Sequence, residues 1–432
     1  FRQQIGALSN SHSASVSIGE ANPPSGSDLP NKATSDPLLV AASDATRPVR
    51  PSPTMPTRRM IQAKRWGVMK AAKGEIWRFG LAERVKTPLR VGDVVSPDDD
   101  VPDATPNGVG DVLAETVEKV EKLILPHDRR HKLISSDGPT EWLIESARRW
   151  VTAMLADEGV HGAIEARSRR TKAEIRSRDD GVLSGVYVAD LLLREWMPGA
   201  RFTWTSGDGS NIAAGDCILT IEGCRHQILL CERIILNILG RLSGIATNTA
   251  HWVSKSQIPL AATRKTGWGA LDKAAVAMGG GLTHRIHRAD ALMLKENDLA
   301  STAEEGDVGP TRVRKVLRDI PLDSIGAFVT VEVRSLDEAL AAAESWGERM
   351  LEENGKTRLN IMLDNMGPEL SRDAVLDIKT RGFREYVTIE ASGNITFRNL
   401  EAWQGSKVDV ISTSGLHRAA SPLDLTCIFE GV

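Results

Sequence analysis

The chain is poor in aromatic residues (4%) and carries only four cysteines among its 432 residues. Cys217, Cys224, Cys231 and Cys427 form no CxxC pair and no Cys/His metal spacing. That excludes a disulfide framework or a zinc module, and the four read as reduced, buried small hydrophobes in a reducing compartment. No apolar run approaches the roughly 20 residues of a membrane span, and mean hydropathy is −0.22. Charge of either sign is not in excess: 54 basic residues face 57 acidic ones, for a net charge of −3, so bulk electrostatics do not suggest nucleic acid as a partner. A Gly-rich dinucleotide fingerprint is also missing. What is present is a chain that is 41% apolar, long enough for two globular domains and an extension.

The chain opens on Phe1 rather than Met, as expected of a fragment or a processed form. Residues 1–57 carry a serine alternation from Ser9 to Ser17, scattered prolines and few large apolar residues. Such a segment cannot bury enough surface to offset its ordering entropy, so it is expected to be disordered. Its first 19 residues hold one cation, and no acid precedes Glu20, a faint likeness to an organelle transit peptide that later acids dilute. A cytoplasmic protein with a floppy tail is the expectation. Residues 58–110 are poorly patterned and end in the acidic linker SPDDDVPDATPNGVGD.

From Asp111 the pattern turns regular. Asp111–Leu125 reads as a helix with a partial stripe of Val112, Val117, Val120 and Leu123. Pro139 opens another, in which Trp142, Leu143, Trp150, Met154 and Leu155 share a face. Residues 165–223 alternate short strand patterns with Asp-Gly and Gly-Asp turns, and Gln227–Thr247 is a helix apolar nearly all round. Residues 111–247 are therefore one α/β unit. Beyond them, in residues 248–432, IPLAAT, ADALML, AFVTVEV, NIMLDN and YVTIEA each lead into a helical pattern, and VDVIST closes the series. Short apolar strands each followed by an amphipathic helix make a parallel sheet, and six of them without a dinucleotide fingerprint favour barrel-like closure.

Polar residues at the carboxyl ends of barrel strands face a common pocket. Read in order, those ends hold Arg264 and Lys265, Lys295 and Glu296, Glu332, Asp364, the run Glu390 to Asn394, and Ser412 to Gly415. With His284 and Arg285 after a glycine run, the cations Arg264, Lys265, His284, Arg285 and Lys295 should converge on something small and densely anionic. Arginine can grip carboxylate or phosphate bidentately. Glu332 and Asp364 are hard oxygen donors of the kind that hold Mg²⁺ beside a polyphosphate, with Lys265 as the nearby counter-charge. Ser392, Gly393 and Asn394, then Ser414 and Gly415, are small-residue loops that can present backbone N–H groups to a phosphate.

The motifs SRDDGVLSG, CERIILNILGRLSGIAT, ATRKT, AVAMGGGLTHR, LMLKEND, VTVEVRSLDEAL, IMLDNM, IEASGNIT and VISTSGL, in this order from about Arg178 to Asp424, resemble the quinolinate phosphoribosyltransferase family. The resemblance implies an N-terminal open α/β sandwich followed by an incomplete, seven-stranded (β/α) barrel, the last residues packing back on the sandwich. It implies a Mg²⁺-dependent enzyme that joins quinolinate to phosphoribosyl pyrophosphate with decarboxylation, in the synthesis of NAD. It also implies a homodimer or larger assembly with active sites shared between subunits. By motif, Arg233 would reach the neighbour's site, and Arg264, His284, Arg285 and Lys295 would bind the two carboxylates. Lys265, Glu296, Ser392, Gly393, Asn394, Ser414, Gly415 and Arg418 would hold phosphoribosyl pyrophosphate, and Glu332 and Asp364 its metal.

The chain departs from that pattern in places. Gly267-Trp268-Gly269 stands where Thr-Pro-Gly is usual, near the expected substrate, and ADEGVHGAIE replaces an acidic-Gly-Gly-Asp-Thr element. Glu296 stands for Asp, Asn394 and Ser414 for Gly, and Arg418 for His. These changes keep two alternatives open: a related transferase acting on another acidic aromatic base, or a non-catalytic ligand-binding subunit.

Overall fold

The computed structural model describes residues 125–301 and 306–431, so the extension expected over 1–57, the segment 58–110 and all but the last residue of the helix expected over Asp111–Leu125 lie outside the described residues. A two-residue ladder, β1 (Ile134–Ser135) with β2 (Gly138–Pro139), leads into α1 (Glu141–Asp157). Thr140 caps that helix, its hydroxyl accepting the Leu143 N–H. The buried stripe of α1 is Leu143, Ala147, Val151 and Leu155, four residues apart throughout. Trp142 was expected on that face but is turned out, its ring edge-on to His287. It neighbours Leu143 in sequence and so points about 100° away on a helix.

The sandwich sheet consists of β3 (Arg170–Ser177), β5 (Arg201–Trp204), β7 (Cys217–Cys224) and β14 (Leu425–Phe429). Its order is β14-β3-β7-β5, antiparallel throughout, so the chain's last strand returns from the barrel to pair with β3. A short ladder of β4 (Gly181–Val182) with β6 (Asn211–Ile212) and the helix α2 (Val186–Trp196) complete this layer. The long helix α3 (Arg225–Lys255) is buried along its length from Ile228 to Trp252. It does not stop at the expected border near 247 but runs on to the barrel, where Asn248 donates to the Gly415 and Leu416 carbonyls.

The second sheet is wholly parallel. Its strands are β8 (Leu260–Ala262), β9 (Leu292–Leu294), β10 (Val329–Val333), β11 (Leu359–Asp364), β12 (Val387–Ser392) and β13 (Val410–Thr413), in the order β8-β13-β12-β11-β10-β9. Helices α4 (Ala270–Met278), α5 (Glu296–Ala300), α6 (Gly309–Asp319), α7 (Leu336–Glu352), α8 (Gly367–Thr380) and the single turn α9 (Gly415–Arg418) lie between and after them. TFRNLEAW, read as a helix, is a 3₁₀ run over Phe397–Trp403. A seventh strand-like segment adds to the free edge of β8 through a parallel bridge between Ala261 and Leu282. The sheet thus curls into an incomplete barrel with a seam between that segment and β9.

From the seam the arm Leu125–Arg129 runs into the barrel, Arg129 bridging Thr283 and Asp290 and Leu125 reaching β8 and β13. The His284 N–H donates to the His127 carbonyl at 2.7 Å, and the Arg129 N–H to the Thr283 hydroxyl at 2.9 Å. Leu125 packs with Ala261 and Val410. The arm therefore fills apolar and polar positions that an open barrel would leave to water.

Candidate active site

Strand alternation sets which side chains enter the barrel. Thr330 and Glu332 on β10, Asn360, Met362 and Asp364 on β11, and Thr388, Glu390 and Ser392 on β12 are register neighbours on the inner face. Above them opens a cleft of about 1440 Å³. It gathers Arg264, Lys265, His284, Arg285, Lys295, Glu332, Asp364, Ser392, Gly393, Asn394, Ser414, Gly415 and Arg418. Arg233 and Glu296 are not among its walls: Arg233 is exposed on α3, and Glu296 pairs with Arg334 at the rim.

One wall is cationic. Arg264 and Lys265 are exposed at the end of β8, and Arg285 is half-buried beside them. Burial and then the neighbouring Arg264 and Arg288 bring the Arg285 guanidinium down to about 10, which leaves it charged at neutral pH. His284 is buried, and desolvation lowers its imidazole to about 4, so it stands neutral. Its Nδ1 accepts the Arg285 N–H at 2.7 Å, which leaves the ring proton on Nε2, directed at Glu390 at 3.2 Å. Its backbone is in the left-handed region, with φ +52. Below it, Lys273 on α4 is buried and lowered to about 7, by burial first and then by Arg264 and Arg285. Its Nζ donates to the carbonyls of Ala262 and Thr283, tying β8 to the seam segment under the cationic wall.

The opposite wall is built of tight loops. Gly393 has φ +93, and a Cβ there would lie 2.3 Å from Asn365 Oδ1, so only glycine fits. Asn394 follows at φ +52 and donates to the same Asn365 oxygen at 2.9 Å. The Thr413 hydroxyl donates to the Ile395 carbonyl and accepts the Gly415 N–H, joining the two loops. Between the walls, Glu332 pairs with Lys295, and Arg334 lies 3.9 Å from Glu332 and 3.5 Å from Asp364. The counter-charges of this carboxylate pair are Lys295 and Arg334, in place of the expected Lys265.

Residues 156–243 match the quinolinate phosphoribosyl transferase N-terminal domain, and residues 245–427 match its C-terminal domain. A probable carboxylating nicotinate-nucleotide pyrophosphorylase from Methanothermobacter thermautotrophicus is 36% identical over 277 residues, 62% of this chain and 92% of that protein. The chain belongs to the quinolinate phosphoribosyltransferase family. A chloroplastic carboxylating nicotinate-nucleotide pyrophosphorylase from Oryza sativa subsp. japonica is 30% identical over 268 residues, 60% of this chain and 69% of that protein. Among solved structures, the nicotinate-nucleotide pyrophosphorylase from Francisella tularensis superposes with a TM-score of 0.56 at 30% identity, over 66% of this chain and 97% of that one. Among the described residues, no helix is long and apolar enough to cross a membrane.

Within this family the altered Gly-Trp-Gly loop turns out to be a structural anchor. The N–H groups of Gly267 and Trp268 donate to the buried Asp272 carboxylate at 2.7 and 3.1 Å, which also takes Arg241 at 2.9 Å. Trp268 lies beneath the Arg241 guanidinium, 4.8 Å from its ring centre, and against Trp150. The loop does not line the cleft. Glu390, read as part of a strand exit, is instead fully buried inside the barrel, because it lies two residues below the end of β12. Lys273, Asn360, Arg334 and His127 were missed. The first three carry a readable signal, a polar residue inside an apolar helix, strand or strand exit, whereas nothing local marks His127.

Proposed function

We propose that this chain transfers phosphoribose from phosphoribosyl pyrophosphate to quinolinate and decarboxylates the product, giving nicotinate mononucleotide, CO₂ and pyrophosphate. One observation carries the reading: Arg264 and Arg285, with the neutral His284 between them and Lys295 close by, share a single cleft with small-residue loops. That arrangement suits a flat dicarboxylate on one side and a ribose phosphate on the other. Arg264, Arg285 and Lys295 offer charged donors for the two carboxylates. The N–H groups around Gly393 and Gly415, with Arg418 at the rim, suit the 5-phosphate. The ring nitrogen attacks the ribose carbon as the C–O bond to pyrophosphate breaks. The ring, now cationic, accepts the electron pair left when the 2-carboxylate departs as CO₂, and a proton then fills that carbon. The residues here contribute position and charge; no acid–base pair is required for bond cleavage.

The donor set fits a divalent ion. Glu332 and Asp364 offer hard oxygens on adjacent strands and already hold the Arg334 guanidinium in common. Bound there, Mg²⁺ would offset the charge of the departing pyrophosphate. Arg233, exposed on α3 and absent from this chain's own cleft, fits a role in a second copy's site, so the active form is a homodimer or larger. The test is turnover of quinolinate with phosphoribosyl pyrophosphate and Mg²⁺, followed as CO₂ and mononucleotide. Nicotinate should be used poorly, because losing one carboxylate strands cations worth about 1.5–3 kcal/mol per charge-assisted hydrogen bond. Equal kcat/KM for the two acids would overturn the reading.

A further inference from the structure

The match to the family's N-terminal domain begins at residue 156, yet His284 in the cleft leans on a segment that lies before it. His127 is fully buried inside the barrel. Its Nε2 lies 3.0 Å from Glu390 Oε2, the oxygen that also accepts Asn360 Nδ2 at 2.6 Å. The His127 ring meets that of His284 edge-on at 4.9 Å, and Phe328 backs both rings. Its carbonyl takes the His284 N–H at 2.7 Å. His127 thus touches His284 three ways: through the backbone, ring to ring, and through a shared carboxylate.

Two imidazoles and a carboxylate this close could be a metal site. Proton bookkeeping argues otherwise. A cation at His284 Nε2 needs that nitrogen's lone pair, which moves the ring proton to Nδ1. Nδ1 already accepts the Arg285 N–H at 2.7 Å. The observed arrangement is complete without an ion: Glu390 accepts from His284, His127 and Asn360. What the cluster does is fix one ring in one orientation. A non-glycine residue at φ +52 is costly, about 1–3 kcal/mol, and persists only where its surroundings over-determine it.

We propose that His127 is a positioning residue: the Leu125–Arg129 arm closes the barrel seam and, through His127, sets the His284–Arg285 pair that receives the dicarboxylate. The proposal rests on the reading that this pair grips the acidic base. The arm supports one side of the cleft without lining it: its hydrogen bonds and ring contacts go to Thr283, His284, Asp290, Phe328 and Glu390. His127→Ala should then raise KM for quinolinate about tenfold or more, with KM for phosphoribosyl pyrophosphate within twofold and kcat less affected. His127→Gln, whose amide can reach Glu390 from the same direction, should recover most of the loss. His127→Phe, which fills the space without the hydrogen bond, should not.

The experiment is steady-state kinetics on the three full-length variants, with melting temperatures, and calorimetric titration with phthalate. Phthalate has the same adjacent carboxylates and no ring nitrogen to react, so it reads the grip on the base without turnover. A selective quinolinate and phthalate defect, rescued by Gln, supports the proposal. Folded Ala and Phe variants with a quinolinate KM within twofold of the unmodified chain overturn it. So do equal losses toward both substrates with no rescue by Gln, or failure of the Phe variant to fold, since the residue would then serve the fold alone. If the unmodified chain binds phthalate but does not turn over quinolinate, the proposed reaction fails and the His127 effect is still read from phthalate. An unmodified chain that takes neither overturns both.

Discussion

Replacing Glu390 with Met should damage the protein far more than replacing it with Gln, and the reason lies in which neighbours can turn. Three N–H donors, from His127, His284 and Asn360, end on this buried carboxylate; burial pushes it up, but the two imidazoles hold it well below its usual range. Methionine has similar length and no acceptor, so all three donors are stranded. At about 1–3 kcal/mol for each stranded buried group, and with several kcal/mol returned because a charge is no longer buried, the net loss is about 3 kcal/mol. At about 2–4 °C per kcal/mol, Glu390→Met should melt roughly 6–12 °C lower. Glutamine keeps one oxygen and adds an NH₂. His284 cannot change tautomer, because its Nδ1 already accepts the Arg285 N–H, so the oxygen must face His284. The NH₂ then faces His127 and Asn360, and both can adapt: His127 Nδ1 and Asn360 Oδ1 have no hydrogen-bond partner. Glu390→Gln should therefore lie within about 1 kcal/mol of the parent. Thermal and urea unfolding check the order, and quinolinate KM should rise at least tenfold in the Met variant only. Equal destabilisation by Met and Gln, or none by either, would refute the donor assignment.

Acid should loosen the fold before it reaches ordinary carboxylates. Burial brings His284 and His417 each down to about 4, so between pH 6.5 and 4 the unfolded chain binds more protons than the folded one, and stability falls as pH drops through that window. His284 alone is worth up to about 3 kcal/mol there; denaturant midpoints at pH 7 and 4.5 that coincide would contradict this. Asp364→Asn should leave the melting temperature nearly unchanged while the Mg²⁺ titration shifts to higher concentration and kcat falls by on the order of 10²-fold; an unchanged Mg²⁺ titration would sink the metal role. Arg233→Ala and Lys265→Ala chains, each inactive, should regain activity when mixed and allowed to exchange subunits. Exchanged hybrids that stay dead would exclude a shared site.

Much of this architecture is readable from residue order because parallel βα units are local. Each expected barrel strand, from IPLAAT to VDVIST, forms, and the expected helices follow them except that TFRNLEAW is a 3₁₀ run. Apolar runs of this length bounded by turn residues leave few other options. The cleft followed from the same rule, since strand exits converge whatever the sequence between them. Expectation and structure part where one residue of offset, or the reach of a long side chain, decides the neighbour. Trp142 was placed on the buried stripe, although its neighbour Leu143 holds that position. Lys265 was paired with the carboxylates, although Lys295 and Arg334 reach them. Long side chains on adjacent loops can exchange partners within a few ångströms, and spacing in sequence does not decide between them.

Glu390 was readable in principle. In VTIEAS the polar residues Thr388, Glu390 and Ser392 alternate, as Asn360 and Asp364 do in LNIMLD and Thr330 and Glu332 in VTVEV. Period two puts each set on one face, and in a barrel whose outer face meets helices, that face is the interior. Polar residues below the strand ends must then satisfy one another, as Thr330, Asn360 and Glu390 do through Asn360 Nδ2. The alternation implies an internal network and a deficit: one carboxylate, with two oxygens, asks for more donors than its strand neighbours supply. Its remaining donors come from His284 and from His127, 263 residues before it. No local pattern marks His127, which stands in LPHDRR among charged residues typical of a surface. The unmet acceptors of Glu390 are the trace that such a partner leaves in the sequence, and they specify its chemistry, a buried N–H donor, without specifying its position.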